Sequence, residues 1–221
     1  HVRSRRQRQM CIRDRAVGKG VLIPRPETAE LCELILARHP ATEAPLRLLD
    51  VGCGSACIPI YIGSERPEWC LYAMDQSEQA LDYAEQNVRQ TGVAVQLFRG
   101  DLFAWCQEKD IPAELPPIDL LVSNPPYIPE CDQATMRPNV LEGEPREALF
   151  VPDEDPLRYY RALVTLVPRI RSPHAPCTLY CETHHKLAHE VAALCEQAGA
   201  ASSEVLLDLT GRERFVQATF Q

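Results

Sequence analysis

The tetrapeptide Asn124-Pro125-Pro126-Tyr127 combines groups suited to gripping an NH2 group. Two successive prolines fix φ and remove two backbone donors, so the chain past residue 123 is stiff and extended. The carbonyls of such a bend have no ladder partners. With the Asn124 amide they are free to accept hydrogen bonds from a ligand. The preceding apolar run, residues 118–123, has the length and composition of a buried strand, and open α/β sheets bind ligands at such strand ends. Any proline pair can end a strand, but an asparagine before the pair and an aromatic after it make an uncommon combination.

Three other strand ends carry ligand-binding groups. The run Leu48-Leu49-Asp50-Val51-Gly52-Cys53-Gly54-Ser55-Ala56 is a strand entering a turn, where Gly52 and Gly54 allow a sharp bend and close approach of a ligand to the main chain. Asp75 closes the next strand, 23 residues after Gly52, where an acid can take both hydroxyls of a ribose. Gly100-Asp101-Leu102 follows the third strand. Asp101 can accept from an adenine amino group and the Leu102 N–H can donate to a ring nitrogen. A dinucleotide fingerprint fails here, because Cys57 stands at the position of its third glycine. The order Asp-x-Gly-x-Gly, acid, Gly-Asp, Asn-Pro-Pro-Tyr looks instead like an S-adenosylmethionine site.

These positions need an alternating α/β scaffold, and the pattern supplies one. Helical periodicity covers 27–38, the turn after Gly54 to about 64, 77–91 with Ser77 as cap, 102–108, 156–170 and 186–198. Strand signals cover 46–51, 69–75, 93–99, 118–123, 178–181, 205–209 and 214–220, the last two joined at Thr210-Gly211-Arg212-Glu213 as a hairpin. Repeated βαβ units ending in a hairpin predict a mostly parallel sheet with one antiparallel edge strand. The Pro-rich, acidic stretch 128–152 is expected to be a functional loop with a small hairpin. Residues 1–17 form a basic tail, six arginines by residue 15 (Arg3, Arg5, Arg6, Arg8, Arg13, Arg15). The tail is expected to be disordered or foreign, with the catalytic domain at 18–221.

Composition narrows the function. Net charge is −8 and pI about 5.3 over 221 residues, against a protein that holds nucleic acid by its phosphates. There is no apolar run of membrane-spanning length, and the chain is expected to be cytoplasmic. Ten cysteines lack any CxxC pair. Cys53, Cys57, Cys70, Cys177, Cys181 and Cys195 lie in apolar runs and are expected to be buried thiols. Cys177 and Cys181, four apart in a strand, stand roughly 13 Å from each other. Two ligands so far apart cannot meet one metal, so no metal is expected.

The chain resembles the peptide chain release factor glutamine methyltransferases (the HemK/PrmC family). The resemblance rests on Gly20-Val21-Leu22-Ile23-Pro24-Arg25-Pro26-Glu27-Thr28, on Asn124-Pro125-Pro126-Tyr127-Ile128 and on Asp208-Leu209-Thr210-Gly211-Arg212-Glu213-Arg214, and it spans about residues 18–221. It implies a Rossmann-like class I S-adenosylmethionine-dependent methyltransferase fold, with seven strands and a reversed last strand. Family members usually carry a helical domain ahead of the catalytic one; nearly all of it is missing here, so the chain reads as a fragment. The family more often has glycine where Ala56 stands, a methyl tolerated if φ there is negative.

The activity implied is methylation of the side-chain amide nitrogen of glutamine in the Gly-Gly-Gln motif of class I release factors. S-adenosyl-L-methionine would be held by Asp50, Gly52, Cys53, Gly54, Ser55, Ala56, Asp75, Asp101, Leu102 and Asn124. Asn124, Pro125, Pro126 and Tyr127 would hold the substrate, with Asn124, Pro125 and Tyr127 catalytic and Tyr127 packed on the glutamine or a neighbouring glycine. Read from their own positions, Arg25 and Glu27 are either solvated or a lid over the methionine end, and Glu182, ending the strand 178–181, is a candidate to orient that region with its role left open. The expected state is a monomer with no stable nucleic-acid partner. The alternative is a nucleic-acid methyltransferase acting on adenine N6 or guanine N2, which the same acceptor cradle would serve.

Overall fold

A computed structural model describes residues 16–18, 20–40, 44–107, 109–135 and 144–221. The expected tail, residues 1–15, lies outside the described residues. Ala16, placed in that tail by sequence, is docked on the domain: its N–H donates to Asn87 Oδ1 at 2.7 Å and its carbonyl accepts from Asn87 Nδ2 at 3.0 Å.

Helix α1 spans Pro26–Arg38, β1 Arg47–Val51, α2 Cys57–Glu65, β2 Cys70–Asp75, α3 Glu78–Thr91, β3 Val95–Arg99, α4 Leu102–Trp105 and β4 Leu120–Ser123. Then come β5 Ile128–Pro129, β6 Phe150–Val151, α5 Arg158–Ile170, β7 Cys177–Glu182, α6 Ala188–Gln197, β8 Ser202–Leu207 and β9 Glu213–Phe220. The main sheet has the order β3-β2-β1-β4-β7-β9-β8 and is parallel except for β9. Alternate residues of the central strands feed opposite faces. Leu49, Leu121 and Leu179 meet Leu163, Leu166, Val167 and Val191 of α5 and α6. Leu48, Leu120 and Val122 meet Leu31, Ile35, Ile58 and Ile62 of α1 and α2. Both faces are covered, which is why the strands are apolar throughout rather than alternating.

Chain order reverses at β1. From there β2 and β3 build one way and β4 and β7 the other, the switch point where such sheets open a crevice. The register levels the strand ends there: Val51 pairs Met74 on one side and Ser123 on the other. The glycine turn, Asp75 and Asn124 thus leave the sheet side by side.

Several expectations need correction. The reversed strand, last in sequence, is not at the edge: β9 inserts between β7 and β8, and β8 is the edge. A hairpin signal fixes the reversal but not which strand finds the inner neighbour. In the stretch after the Asn-Pro-Pro-Tyr bend the described residues show a parallel pair instead of a hairpin, β5 with β6, Ile128 against Phe150. Cys70 is exposed, because it opens β2 at the sheet's amino end. The short helix expected at 102–108 stops at Trp105. No described helix is long and apolar enough to cross a membrane, and the described residues hold no group of three His, Cys, Asp or Glu suited to a metal.

Candidate functional site

A cavity of about 380 Å³ opens at the switch point. Its walls include eight of the residues singled out by sequence: Gly52, Gly54, Asp75, Asp101, Leu102, Asn124, Pro125 and Pro126. The glycine turn forms because Gly52 and Gly54 take φ of 73° and 54°, a region other residues avoid. The N–H groups of Gly52 and Cys53 both donate to the Met74 carbonyl, at 2.9 and 3.0 Å, folding the turn over the end of β2. Asp75 Oδ2 accepts from Gly54 N–H and Oδ1 from Ser77 N–H, each at 2.9 Å. Burial pushes the Asp75 carboxyl up, and the backbone donors from Ser77, Gly54 and Gln76 pull it back. Asp101 caps α4 by accepting from Phe103 N–H at 2.8 Å. Leu102, at the first position of that helix, keeps one of the N–H groups that have no intrahelical acceptor.

Five predicted residues do not line the cavity. Cys53, Ser55 and Ala56 are buried beneath the turn. Ala56 has φ of 59°, so the expectation of a negative φ fails; the residue holds a left-handed conformation at the start of α2 without glycine's freedom. Asp50 is buried, and among the described residues both its carboxylate oxygens lack a hydrogen-bond partner. Burial, and Asp75 nearby, push its carboxyl well up. Tyr127 is the fifth. Its hydroxyl donates to Glu182 Oε1 at 2.9 Å and its ring packs on the main core.

Residues missed or undervalued by sequence complete the site. Thr28 Oγ1 accepts from Asn124 Nδ2 at 3.2 Å and donates to Glu182 Oε2 at 3.1 Å. Glu182 is fully buried at the end of β7; burial raises its carboxyl to about 7, against the pull of the Tyr127 hydroxyl, Arg214 and Thr28. Arg25 does not reach the cavity wall. It clasps Glu144 through Nη2, 2.6 and 2.7 Å from the two carboxylate oxygens. That pair links the segment carrying Gly20, Val21 and Leu22 to the one carrying Pro145, Glu147 and Ala148, all on the cavity wall. Thr28 and Arg25 lie within the Gly20 to Thr28 motif; nothing in the acidic stretch singled out Glu144.

The groups on the walls suit a nucleoside. An acid stands at the end of β2, Asp101, Leu102 and Phe103 line the β3 end, and glycine main chain lies between.

Comparison with known proteins agrees. Residues 31–142 match the family described as Methyltransferase small domain. A release factor glutamine methyltransferase of Bacteroides thetaiotaomicron is 38% identical over 210 residues, covering 95% of this chain and 72% of that protein. The protein of that name in Bacillus anthracis is 34% identical over 209 residues, 93% and 71% of the two chains. Among solved structures, precorrin-6y C5,15-methyltransferase of Geobacter metallireducens superposes with a TM-score of 0.59 at 14% identity, over 94% of this chain and 95% of that one. A human methyltransferase 10 domain containing protein gives 0.60 at 16%, over 91% and 85%. At such identities these structures speak for the fold alone.

Proposed function

The chain belongs to the release factor glutamine methyltransferase family, and from that premise we propose that it methylates the side-chain amide nitrogen of the glutamine in the Gly-Gly-Gln motif of class I peptide chain release factors, using S-adenosyl-L-methionine. One observation carries this reading to the residues: the Asn-Pro-Pro bend and the glycine turn are walls of the same cavity. Bound there, S-adenosylmethionine supplies an electrophilic methyl group. Gly52, Gly54, Asp75, Asp101 and Leu102 would hold it, the Asp75 carboxylate suited to a ribose and the β3 end to a base.

An amide nitrogen is a weak nucleophile because its lone pair is delocalised. The chain's contribution is placement and charge. Asn124 Oδ1 and the Pro125 carbonyl accept the two N–H bonds of the glutamine, which turns the nitrogen face toward the cofactor side of the cavity. The same two oxygens stabilise positive charge as it develops on nitrogen. The rigid proline pair keeps them in place without reorganisation during the reaction.

The test gives the chain labelled S-adenosylmethionine with a class I release factor, with DNA and with RNA. Label on the Gly-Gly-Gln glutamine supports the reading. Label on adenine N6 or guanine N2, with none on the release factor, overturns it in favour of nucleic-acid methylation. A substrate that works in translation supports a cytoplasmic enzyme.

A further inference from the structure

The Asn124 carboxamide can do its proposed work in only one of two orientations. A substrate NH2 needs an acceptor, so Oδ1 must face the cavity and Nδ2 must face inward. Nδ2 does face inward, donating to Thr28 Oγ1 at 3.2 Å. Thr28 in turn donates to Glu182 Oε2 at 3.1 Å, and Tyr127 donates to Oε1 at 2.9 Å. The direction of this chain is set at its far end. An ionised carboxylate can only accept, so Thr28 must give it its single hydroxyl hydrogen. Thr28 can then only accept from Asn124, and a flipped Asn124 would set oxygen against oxygen.

We infer that Glu182 and Thr28 are positioning residues, and that the ionised Glu182 carboxylate fixes the Asn124 amide with Oδ1 toward the substrate. This rests on the proposed methylation of a glutamine amide. Protonation removes the constraint: a neutral Glu182 can donate to Thr28 Oγ1, whose hydroxyl is then free to donate to a flipped Asn124 Oδ1. Both orientations are then satisfied, and the flipped one meets the substrate NH2 with a second NH2.

The surroundings support a change of charge near neutrality. Glu182 is faced by Tyr127 from the bend, by Thr28, Glu27 and Cys32 of α1, by Tyr160 of α5, by Cys181 of its own strand and by Arg214 of β9. The Tyr160 hydroxyl also donates to the Glu182 carbonyl at 3.1 Å. Burial pushes Tyr127, Tyr160, Cys32 and Cys181 further up, so they stay neutral at physiological pH. Burial brings Glu182 up to about 7, while Tyr127, Arg214 and Thr28 favour its charged form and Glu27 opposes it.

The experiment has two arms. The first reads Asn124 directly, as protection of its side-chain NH2 from hydrogen exchange by NMR, in parent chain and Thr28→Val compared at matched pH. Protection relative to Thr28→Val is expected above pH 7 and is expected to fade below it. The second measures kcat for release factor methylation from roughly pH 6 to 8.5. In the parent kcat falls below about pH 7. Glu182→Gln, which presents both an acceptor and a donor, flattens the profile and lowers kcat on the order of ten- to a hundredfold. Thr28→Val loses a similar factor and Thr28→Ser restores most of it. Affinity for S-adenosylmethionine holds in all three, since neither residue lines the cavity. Equal NH2 protection in parent and Thr28→Val, or a Glu182→Gln enzyme with the parent's kcat and pH profile, overturns the inference. Intact, pH-dependent protection in a chain that methylates no release factor overturns the proposed function and leaves the orientation mechanism standing.

Discussion

Removal of the Arg25 guanidinium tests whether the clasp with Glu144 keeps the cavity closed. Both Glu144 oxygens receive Arg25 Nη2, at 2.6 and 2.7 Å, and the side chains are 32% and 2% exposed. Arg25→Ala strands a carboxylate that water hardly reaches. A fully buried pair broken in this way costs about 3–5 kcal/mol. Arg25 is one-third exposed, so solvent screening reduces this to about 1.5–3 kcal/mol, the range for hydrogen bonds to charged groups. The cost falls on contact between the two cavity-wall segments. It therefore enters cofactor binding as a smaller closed fraction, raising apparent Kd by up to roughly ten- to a hundredfold. Calorimetric titration of S-adenosylmethionine into the parent, Arg25→Ala, Glu144→Gln and the double variant gives the coupling. Arg25→Ala alone is expected to weaken binding most, and the double variant less than additively, because neutral glutamine strands no charge. Coupling within about 0.5 kcal/mol of zero, the level of independent sites, would refute the clasp.

Three further outcomes concern stability. Gly63 sits mid-helix because α2 crosses the sheet closely: a methyl there would lie 2.6 Å from Leu71 Cδ1 and closer still to Val93 Cγ1. Gly63→Ala should cost about 1–3 kcal/mol of overpacking against about 1 kcal/mol of helix propensity gained, a fall in melting temperature that calorimetry reads. Ser77→Ala removes the oxygen that accepts from Ala80 N–H at 3.2 Å, and should cost about 1 kcal/mol in denaturant unfolding. Glu182 carries a pH signature of defined sign. Its folded carboxyl is raised from 4.5 to about 7, so the folded state binds the proton more tightly than the unfolded one. Its contribution is full below pH 4.5 and is lost as pH rises through 7, on the order of 3 kcal/mol in all. The stability difference between parent and Glu182→Gln should shift by that amount across the window; a difference constant with pH would refute the raised carboxyl.

Eight of the thirteen predicted residues meet at one cavity because they sit in strand-end turns with unusual residues. Gly52 and Gly54 are needed for positive φ, Asp75 ends an apolar run, and no ordinary strand continues into two prolines. The network behind Asn124 was not legible. Its members, Thr28, Glu182 and Tyr127, lie in different elements, with Thr28 and Glu182 154 residues apart. No periodicity relates such positions; only the closing of α1 onto β7 and the bend does. Tyr127 shows the consequence: its place beside two prolines gave no sign that Glu182, 55 residues on, holds its hydroxyl. The β5–β6 pair and the inner place of β9 escaped for a related reason. Two-residue strands carry no pattern, and a turn encodes reversal without naming the neighbouring strand.

Methyl transfer by Asn124→Ala beside the parent, read by mass spectrometry on the Gly-Gly-Gln peptide of a class I release factor, bears most directly on the acceptor bend. The expected result, at saturating S-adenosylmethionine, is a loss of on the order of a hundred- to a thousandfold in kcat, as for removal of one preorganised partner of transition-state charge. Glutamine methylation at the parent's rate in Asn124→Ala would contradict it.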